Sequence, residues 1–329
     1  MKRITALLTL ITICLALLCS CSFFEQKTTL RIGYMAGPTG MGMAKLVSDN
    51  GGLENGNEKY VFTKYADTAA AKADLAAGKI DIICLPTNEA AMYYNTVDSS
   101  AKVLAVNCLN SLYLIMNSGT RITSFSLLTG QTLYTCKNGT PRMILEHIIE
   151  EAGIDATVSY TIDGKEMITP ADLSAMVVAG KIPNAVMPEP LVTSSLLAIN
   201  SSTPYQHLKW SVKVDLADEW SNIYDTPITM GCIVASGDVI KNHKSAVNAF
   251  LEEYKASIEY IGNPDNLDSA ANYVVESGVM GAVPAAKSAL ENLSGSISYI
   301  DGEEMKNALV AFYNAIGISL PDDEFYYAK

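Results

Sequence analysis

Residues 77–88, Ala77-Gly78-Lys79-Ile80-Asp81-Ile82-Ile83-Cys84-Leu85-Pro86-Thr87-Asn88, decide the fold. Ile80 to Leu85 is an almost continuous apolar run. That pattern belongs to a strand buried on both faces, as in a parallel sheet. Pro86-Thr87-Asn88 breaks the run and a helical pattern follows. An alanine-rich helix precedes it, running to Ala77 from Asp67 or Thr68, either of which supplies an N-cap oxygen. Part of the stretch recurs. Ala179-Gly180-Lys181-Ile182 repeats Ala77-Gly78-Lys79-Ile80 after 102 residues, and at the same offset Pro188 matches Pro86 and Gly139 matches Gly37. One spacing shared by three elements predicts two similar lobes.

Outward from that stretch, short β-rich runs alternate with helical patterns. Leu30 to Tyr34 reads as a strand, Met35 to Gly40 as a Gly/Pro loop, and a helix follows through Val47. Tyr60 to Tyr65 is a second strand, and Val103 to Met116 a longer apolar run. The pattern restarts with strand Gln131 to Cys136, loop Lys137 to Pro141 and helix Arg142 to Ala152, for which Thr140 is the expected cap. Strand Val158 to Ile162, helix Pro170 to Ala179 and strand Ala185 to Met187 come next, ended by Pro188-Glu189-Pro190. Beyond Trp220 and the run Ile228 to Ala235 the chain reads as mostly helical. Lys244 to Gly262 carries Phe250, Tyr254, Ile258 and Ile261 on one face. Such alternation predicts an α/β fold with mostly parallel sheets.

The 329 residues suffice for two domains, and 49% hydrophobic against 18% charged side chains supply a large core. With 23 Lys+Arg against 35 Asp+Glu, net −12, no basic face is expected and a nucleic-acid partner is excluded. One apolar run stands apart, Ile4 to Leu18 behind Met1-Lys2-Arg3. It has the length of a signal-peptide core and falls short of the ~20 residues of a membrane span. It ends in Leu18-Cys19-Ser20-Cys21, which resembles the bacterial lipobox. Residues 1–20 are then a lipoprotein signal peptide, Cys21 is the lipidated first mature residue, and residues 21–28 form a tether. An ordinary cleaved signal or an uncleaved anchor are the alternatives, and all three export the body. A diacylated, palmitate-type anchor at Cys21 holds it at the membrane, since two acyl chains suffice for stable attachment.

Cys84, Cys108, Cys136 and Cys232 are dispersed without a C-x-x-C pair, so no zinc or other metal site is expected. His147, His207 and His243 read as surface or satisfied histidines. G-x-S-x-G, H-E-x-x-H, Walker and G-x-G-x-x-G patterns are absent from the sequence. No nucleophile, base or metal constellation assembles, which points to a protein that is not an enzyme and needs no cofactor.

Several segments together carry a family resemblance: Gly33-Tyr34-Met35-Ala36-Gly37-Pro38-Thr39-Gly40, Leu85-Pro86-Thr87-Asn88, Val103-Leu104-Ala105-Val106-Asn107, Met187-Pro188-Glu189-Pro190, Ile228 to Val234 and Leu320 to Tyr327. In order and over the mature chain they resemble the type II solute-binding lipoproteins of ABC importers, in the branch that binds nitrate, sulfonates, taurine and thiamine-pyrimidine precursors. The resemblance implies a periplasmic-binding-protein type II fold, with two α/β lobes joined by two hinge strands. Lobe one takes residues 29–116 and 229–329, and lobe two 117–228. Val103 to Met116 and Ile228 to Ala235 become the crossing segments, which makes Cys108 and Cys232 a candidate disulfide. The implied partners are a small-molecule ligand, an ABC permease and its ATPase. The protein is expected to act as a monomer, extracytoplasmic and lipid-anchored to the bacterial cell membrane.

Ligands of open α/β sheets sit beyond the carboxyl ends of the strands. That rule selects Met35, Gly37 and Thr39, Tyr65 and Asp67, and Thr87 and Asn88 in lobe one. In lobe two it selects Lys137, Asn138, Gly139 and Thr140, and Glu189. Glycines and threonines opening helices offer free N–H groups, and Asn88 and Asn138 offer donor and acceptor together. Glu189, between two prolines, either binds an amine-bearing group, with Asp67 and Asp225 adding to it, or serves the structure by capping the next helix or pairing with Lys137 or Arg142. Tyr34, Tyr65, Tyr93 and Tyr113 are available for stacking. A carboxylate in the cleft favours a neutral or cationic heterocycle such as an aminopyrimidine. Arg142 with Lys137 keeps a small anion (sulfonate, nitrate or phosphonate) as the alternative. A ligand sensor, or an enzyme resembling thiamine-pyrimidine synthase, are readings of other classes.

Overall fold

The computed structural model describes residues 28–52, 59–203 and 208–329. The expected signal peptide, Cys21 and His207 lie outside the described residues. In chain order the elements are β1 (Leu30–Met35), α1 (Pro38–Met41), α2 (Ala44–Asp49), β2 (Tyr60–Tyr65), α3 (Thr68–Ala76), β3 (Ile82–Pro86), α4 (Thr87–Thr96), β4 (Lys102–Leu109), β5 (Leu112–Asn117), β6 (Thr132–Tyr134), α5 (Thr140–Ala152), β7 (Thr157–Ser159), β8 (Thr161–Ile162), β9 (Lys165–Glu166), α6 (Pro170–Val178), β10 (Asn184–Pro188), α7 (Leu191–Ser202), β11 (Trp210–Asp215) and α8 (Leu216–Ser221). Then come β12 (Thr229–Ala235), α9 (Gly237–Asn242), α10 (Lys244–Gly262), α11 (Leu267–Glu276), α12 (Val283–Asn292), β13 (Ile297–Ile300) and α13 (Gly302–Ala315).

Six strands form one sheet in the order β13-β4-β12-β3-β1-β2. β2, β1 and β3 pair in parallel, and β12 lies antiparallel between β3 and β4. β13 closes the far edge against β4, again antiparallel. β1, β2, β3 and β4 therefore share one direction, as expected of a mostly parallel sheet. The second lobe is built on β10-β5-β11, with β6 and β7 as a parallel pair beside it. Side chains join the two: Asn184 Oδ1 accepts from Tyr134 N (3.1 Å), Asn184 Nδ2 donates to Thr132 O (2.8 Å), and Thr135 Oγ1 donates to Val186 O (3.2 Å).

The echo in the sequence is an echo in structure. β3 and β10 both follow a nine-residue helix, α3 and α6, and all four lie 102 residues from their counterparts. Both helices end in the same turn. Gly78 N donates to Leu75 O and Lys79 N to Asp74 O, while Gly180 N donates to Val177 O and Lys181 N to Met176 O. Gly78 and Gly180 sit at φ +64° and +68°, where a Cβ is disfavoured. The starts differ only in chemistry: Asp67 caps α3, and a Thr169/Asp172 capping box starts α6.

The lobes join at two adjacent crossings. The apolar run Val103 to Met116, expected as one crossing segment of lobe one, is two strands in two sheets. Asn110 (φ +41°) breaks it, a conformation that Asn tolerates, and Leu112 to Met116 pair within the second sheet. The second crossing precedes Thr229, because Thr229 to Ala235 is an interior strand of the first sheet. The crossings hold each other: Asn110 N donates to Ile228 O (3.0 Å) and Ile228 N to Asn110 Oδ1 (2.9 Å). Ser296 Oγ donates to Asn110 O (3.1 Å). Strand β13 was not expected from the sequence.

One apolar core belongs to the first lobe, around Tyr34, Phe250, Tyr254 and Leu290, and one to the second, around Ile115, Leu173 and Met187. A third runs through the junction, from Ile83, Val106 and Phe312 to Leu114, Ile144 and Trp220. The four described cysteines are free, buried thiols, so Cys108 and Cys232 form no disulfide. Gly231 stands opposite Cys108, and Cys232 opposite Val106. Burial pushes Cys84 and Cys108 up to about 12 and Cys136 to about 11.

Candidate functional site

Across the junction, the helix start that follows β3 meets the helix start that follows β6. On the first lobe, Gly37 opens α1 in extended conformation without a side-chain cap. Thr39, buried, lies over Gly231, where a Cβ would stand 2.3 Å from Thr39 Cγ2 and 2.6 Å from Asn107 Oδ1. Asn107 Nδ2 donates to Thr39 O (3.1 Å) and to Tyr254 Oη (2.8 Å), leaving Asn107 Oδ1 without a partner. Thr87 Oγ1 donates to Thr229 O, and Tyr313 Oη to Thr87 O (2.8 Å). Thr229 Oγ1 is likewise buried and unpartnered.

On the second lobe, Gly139 rather than Thr140 is the N-cap of α5, at φ +90°. The Thr140 hydroxyl is thereby released from capping. It donates across the gap to Asn88 Oδ1 (2.8 Å), and Asn88 Nδ2 lies 3.5 Å from Met143 Sδ. Asn88 and Thr140 are both buried, and each stands in the first turn of a helix whose N-terminus has no side-chain cap. Two sets of free N–H groups and two partial positive dipole ends therefore converge from opposite lobes.

Arg142, third residue of α5, places its guanidinium 5.5 Å over the Tyr160 ring, with Nε buried and lacking a hydrogen-bond partner. Lys137 also lies over Tyr160 (5.8 Å), and both Glu166 oxygens accept from its Nζ (2.8 and 2.7 Å). Asn138 is exposed beside them.

Other expected site residues have structural duties. Asp67 Oδ1 accepts from Ala70 N (2.8 Å) as the cap of α3. Tyr65 Oη donates to Asp74 Oδ2 (2.9 Å), and its ring is buried in the junction core. Met35 packs half-buried on the same core. Tyr34 donates to Ser277 O inside the first lobe, away from the gap. Asp225 is exposed on the second crossing.

Glu189 is fully buried and stands apart from the Asn88–Thr140 pair. Thr193 N donates to its Oε2 (3.0 Å), and Thr193 Oγ1 (2.9 Å) and Asn292 Nδ2 (2.7 Å) donate to its Oε1. The carboxylate thus serves the first turn of α7 and takes a third bond from α12. Lys137 and Arg142, considered as partners, are not among its contacts. Burial pushes the Glu189 carboxyl above the usual range, opposed by the bonds from Asn292 and Thr193.

Asn107, Thr229 and Asn292 were missed. Asn107 and Thr229 carried a faint signal, as polar residues in runs that otherwise read as buried strand. Asn292 carried none. Among the described residues no cluster of three metal-ligating side chains occurs, and no helix is long and apolar enough to cross a membrane.

No protein-family model matches the chain, and no curated protein matches it. Solved structures do. An ABC transporter structure from Parabacteroides distasonis matches with TM-score 0.69 at 20% identity, covering 92% of this chain and 99% of that one. The periplasmic aliphatic sulphonate-binding protein SsuA from Escherichia coli matches at 0.66 and 14%, covering 91% and 92%. The periplasmic nitrate-binding protein NrtA from Synechocystis PCC 6803 matches at 0.56 and 12%, covering 85% and 75%. The chain shares with these ABC-type periplasmic binding proteins a fold of two α/β lobes.

Proposed function

We propose that this chain is the extracytoplasmic solute-binding component of an ABC importer. It captures a small molecule between its lobes by closure at the Asn110–Ile228 crossings and delivers it to a permease driven by an ATPase. The division into lobes follows sheet membership, changing at Asn110-Ser111 and again ahead of Thr229. The ligand undergoes no chemistry, in keeping with structural neighbours that are transport binding proteins. In this reading Cys21 carries the lipid anchor and the body works as a monomer.

For the ligand, the observation that carries most weight is the pair of uncapped helix starts meeting at Asn88 and Thr140. Converging N–H donors suit an acceptor-rich or anionic group. Arg142, whose guanidinium stands over Tyr160 and whose Nε lies 3.9 Å from Glu146 Oε2, adds a cation on the same helix. Glu189, the residue that favoured an amine-bearing heterocycle, is occupied by Thr193 and Asn292. A small anion of the sulfonate, nitrate or phosphonate class is therefore the favoured ligand. Thr39, Thr87, Asn88, Gly139, Thr140 and Arg142 are the contact residues.

Thermal unfolding of the soluble body against sulfonates, nitrate, phosphonates, aminopyrimidines and purines tests this. A ligand at 100 times its Kd adds ~2.7 kcal/mol to folding, a clear melting shift. Shifts are expected from anions, lost in Asn88→Ala and Arg142→Gln. A shift confined to amine-bearing heterocycles and abolished by Glu189→Gln would overturn the anion assignment.

A further inference from the structure

The lobes are bridged at a second place, away from the two facing helix starts. α12 belongs to the first lobe: Ala286, Ala289 and Leu290 are buried in its core, and the helix leads into β13 of the six-stranded sheet. Its last residue, Asn292, reaches the second lobe twice. Its Nδ2 donates to Glu189 Oε1 (2.7 Å) and to Thr193 Oγ1 (3.1 Å), and its main-chain oxygen accepts from Tyr113 Oη (3.0 Å). Glu189 follows β10, Thr193 lies on α7 and Tyr113 on β5, all in the second lobe. Glu189 N in turn donates to Ser111 O at the first crossing (3.0 Å). One exposed side chain of the first lobe thus reaches a fully buried carboxylate anchored to the hinge of the second.

We propose that Asn292 and Glu189 form a latch that holds the two lobes together before any ligand arrives. The physical ground is asymmetric. When the lobes part, Asn292 regains water at once. Glu189 keeps both bonds from Thr193 but loses the third, charge-assisted donor that only the other lobe supplies. The carboxylate therefore favours the closed arrangement without contacting solute. The claim goes beyond solute binding, because it concerns the ligand-free protein. A chain that bound none of the expected solutes would still show it.

Interlobe distance in ligand-free protein is the test. Thr63→Cys and Lys165→Cys place spin labels at exposed positions on β2 and β9, one per lobe. The four described native thiols are buried and do not compete for the label. The parent protein is expected to give a single short distance. Asn292→Ala removes the side-chain donor from an exposed position and should raise the open-to-closed ratio about tenfold, the factor that ~1.4 kcal/mol converts to. Asn292→Asp sets a second carboxylate against Glu189 and should raise it further. The pair Glu189→Gln with Asn292→Asp exchanges amide and carboxylate and should restore the short distance. An unchanged distribution in Asn292→Asp would overturn the latch, and so would opening that the exchanged pair fails to reverse. If the exchanged pair does not fold, Asn292→Ala decides: opening supports the latch and an unchanged distribution refutes it.

Discussion

β3 and β10 are the same strand in two lobes, 102 residues apart, and both end at proline. The residues beyond the two prolines differ. After Pro86 come a hydroxyl and an amide: Thr87 is tied to Thr229 O inside its own lobe, and Asn88 meets Thr140 of the other. After Pro188 comes a carboxylate, sealed from water and bonded to Thr193 and, from the other lobe, to Asn292. Each strand end reaches across the junction through one side chain, Asn88 or Glu189, at separate places and with opposite chemistry. The Asn88 side leaves helix donors free and suits a ligand. The Glu189 side has its donors supplied by the protein and suits a fixed joint. A repeated backbone preserves where a strand ends, and single residues at that end decide what the position does.

The largest effect expected breaks the comparison by uncoupling the lobes. Trp220 is buried in the shared core, 5.6 Å from Phe312 and 4.7 Å from Tyr224, with Nε1 donating to Thr226 O (2.7 Å). Trp220→Ala should cost about 3–5 kcal/mol and split one calorimetric transition into two. A single transition at unchanged temperature would show that the lobes are not coupled through this core.

Removing the carboxylate comes next. Glu189→Ala leaves Thr193 N and Asn292 Nδ2 without their acceptor, at a cost of about 1–3 kcal/mol read by urea unfolding. Asn88→Ala orphans a single hydroxyl, that of Thr140, and should cost less by the same measure while weakening ligand binding. Equal costs at both ends would erase the distinction between joint and ligand site.

The Glu189 titration sharpens it further. Its folded pKa lies above the ordinary glutamate value, so the folded state holds the proton more tightly than the unfolded chain does. Stability from this group is complete below the unfolded pKa and is lost as pH rises through the folded one. Raising the pH from about 4 to about 7 should therefore cost the parent protein more than it costs Glu189→Gln, as measured by melting temperature. Parallel melting curves for the two proteins would refute the assignment.

The smallest effect tests where the lobes should agree. Gly78→Ala and Gly180→Ala each force a Cβ into a left-handed turn with open space around it, and should cost about 1 kcal/mol apiece. Markedly different costs would mean that the two turns are not equivalent.

The doubled plan was legible because it rests on local chemistry: the apolar run Ile80 to Leu85, its proline stop, and glycine turns that recur at one spacing. The crossing at Asn110 was not. Its left-handed turn interrupts an apolar run too briefly to read as an ending. Strand β13 was hidden because four residues at a sheet edge, behind a helix, carry no periodicity. At the site, Asn88 and Thr140 were legible as residues opening helices, but their meeting was not. Glu189 was conspicuous between its prolines and its service to the next helix was legible, but its bond to Asn292, 103 positions away in the other lobe, was not. Position relative to a strand end is a local property, whereas a bond between lobes is not.

The placement of β12 has a consequence for the order in which the molecule can be completed. A chain made from its N-terminus has every strand of the second sheet by Asp215, and that lobe can close on itself. The first lobe by then holds β1 to β4, but β3 and β4 have no strand between them until residues 229–235 arrive. The half begun first is therefore finished last. A nascent chain halted after Asp215 should protect amides of β5 and β10 from exchange while those of β4 remain open, so β4 waits on a segment more than a hundred residues downstream.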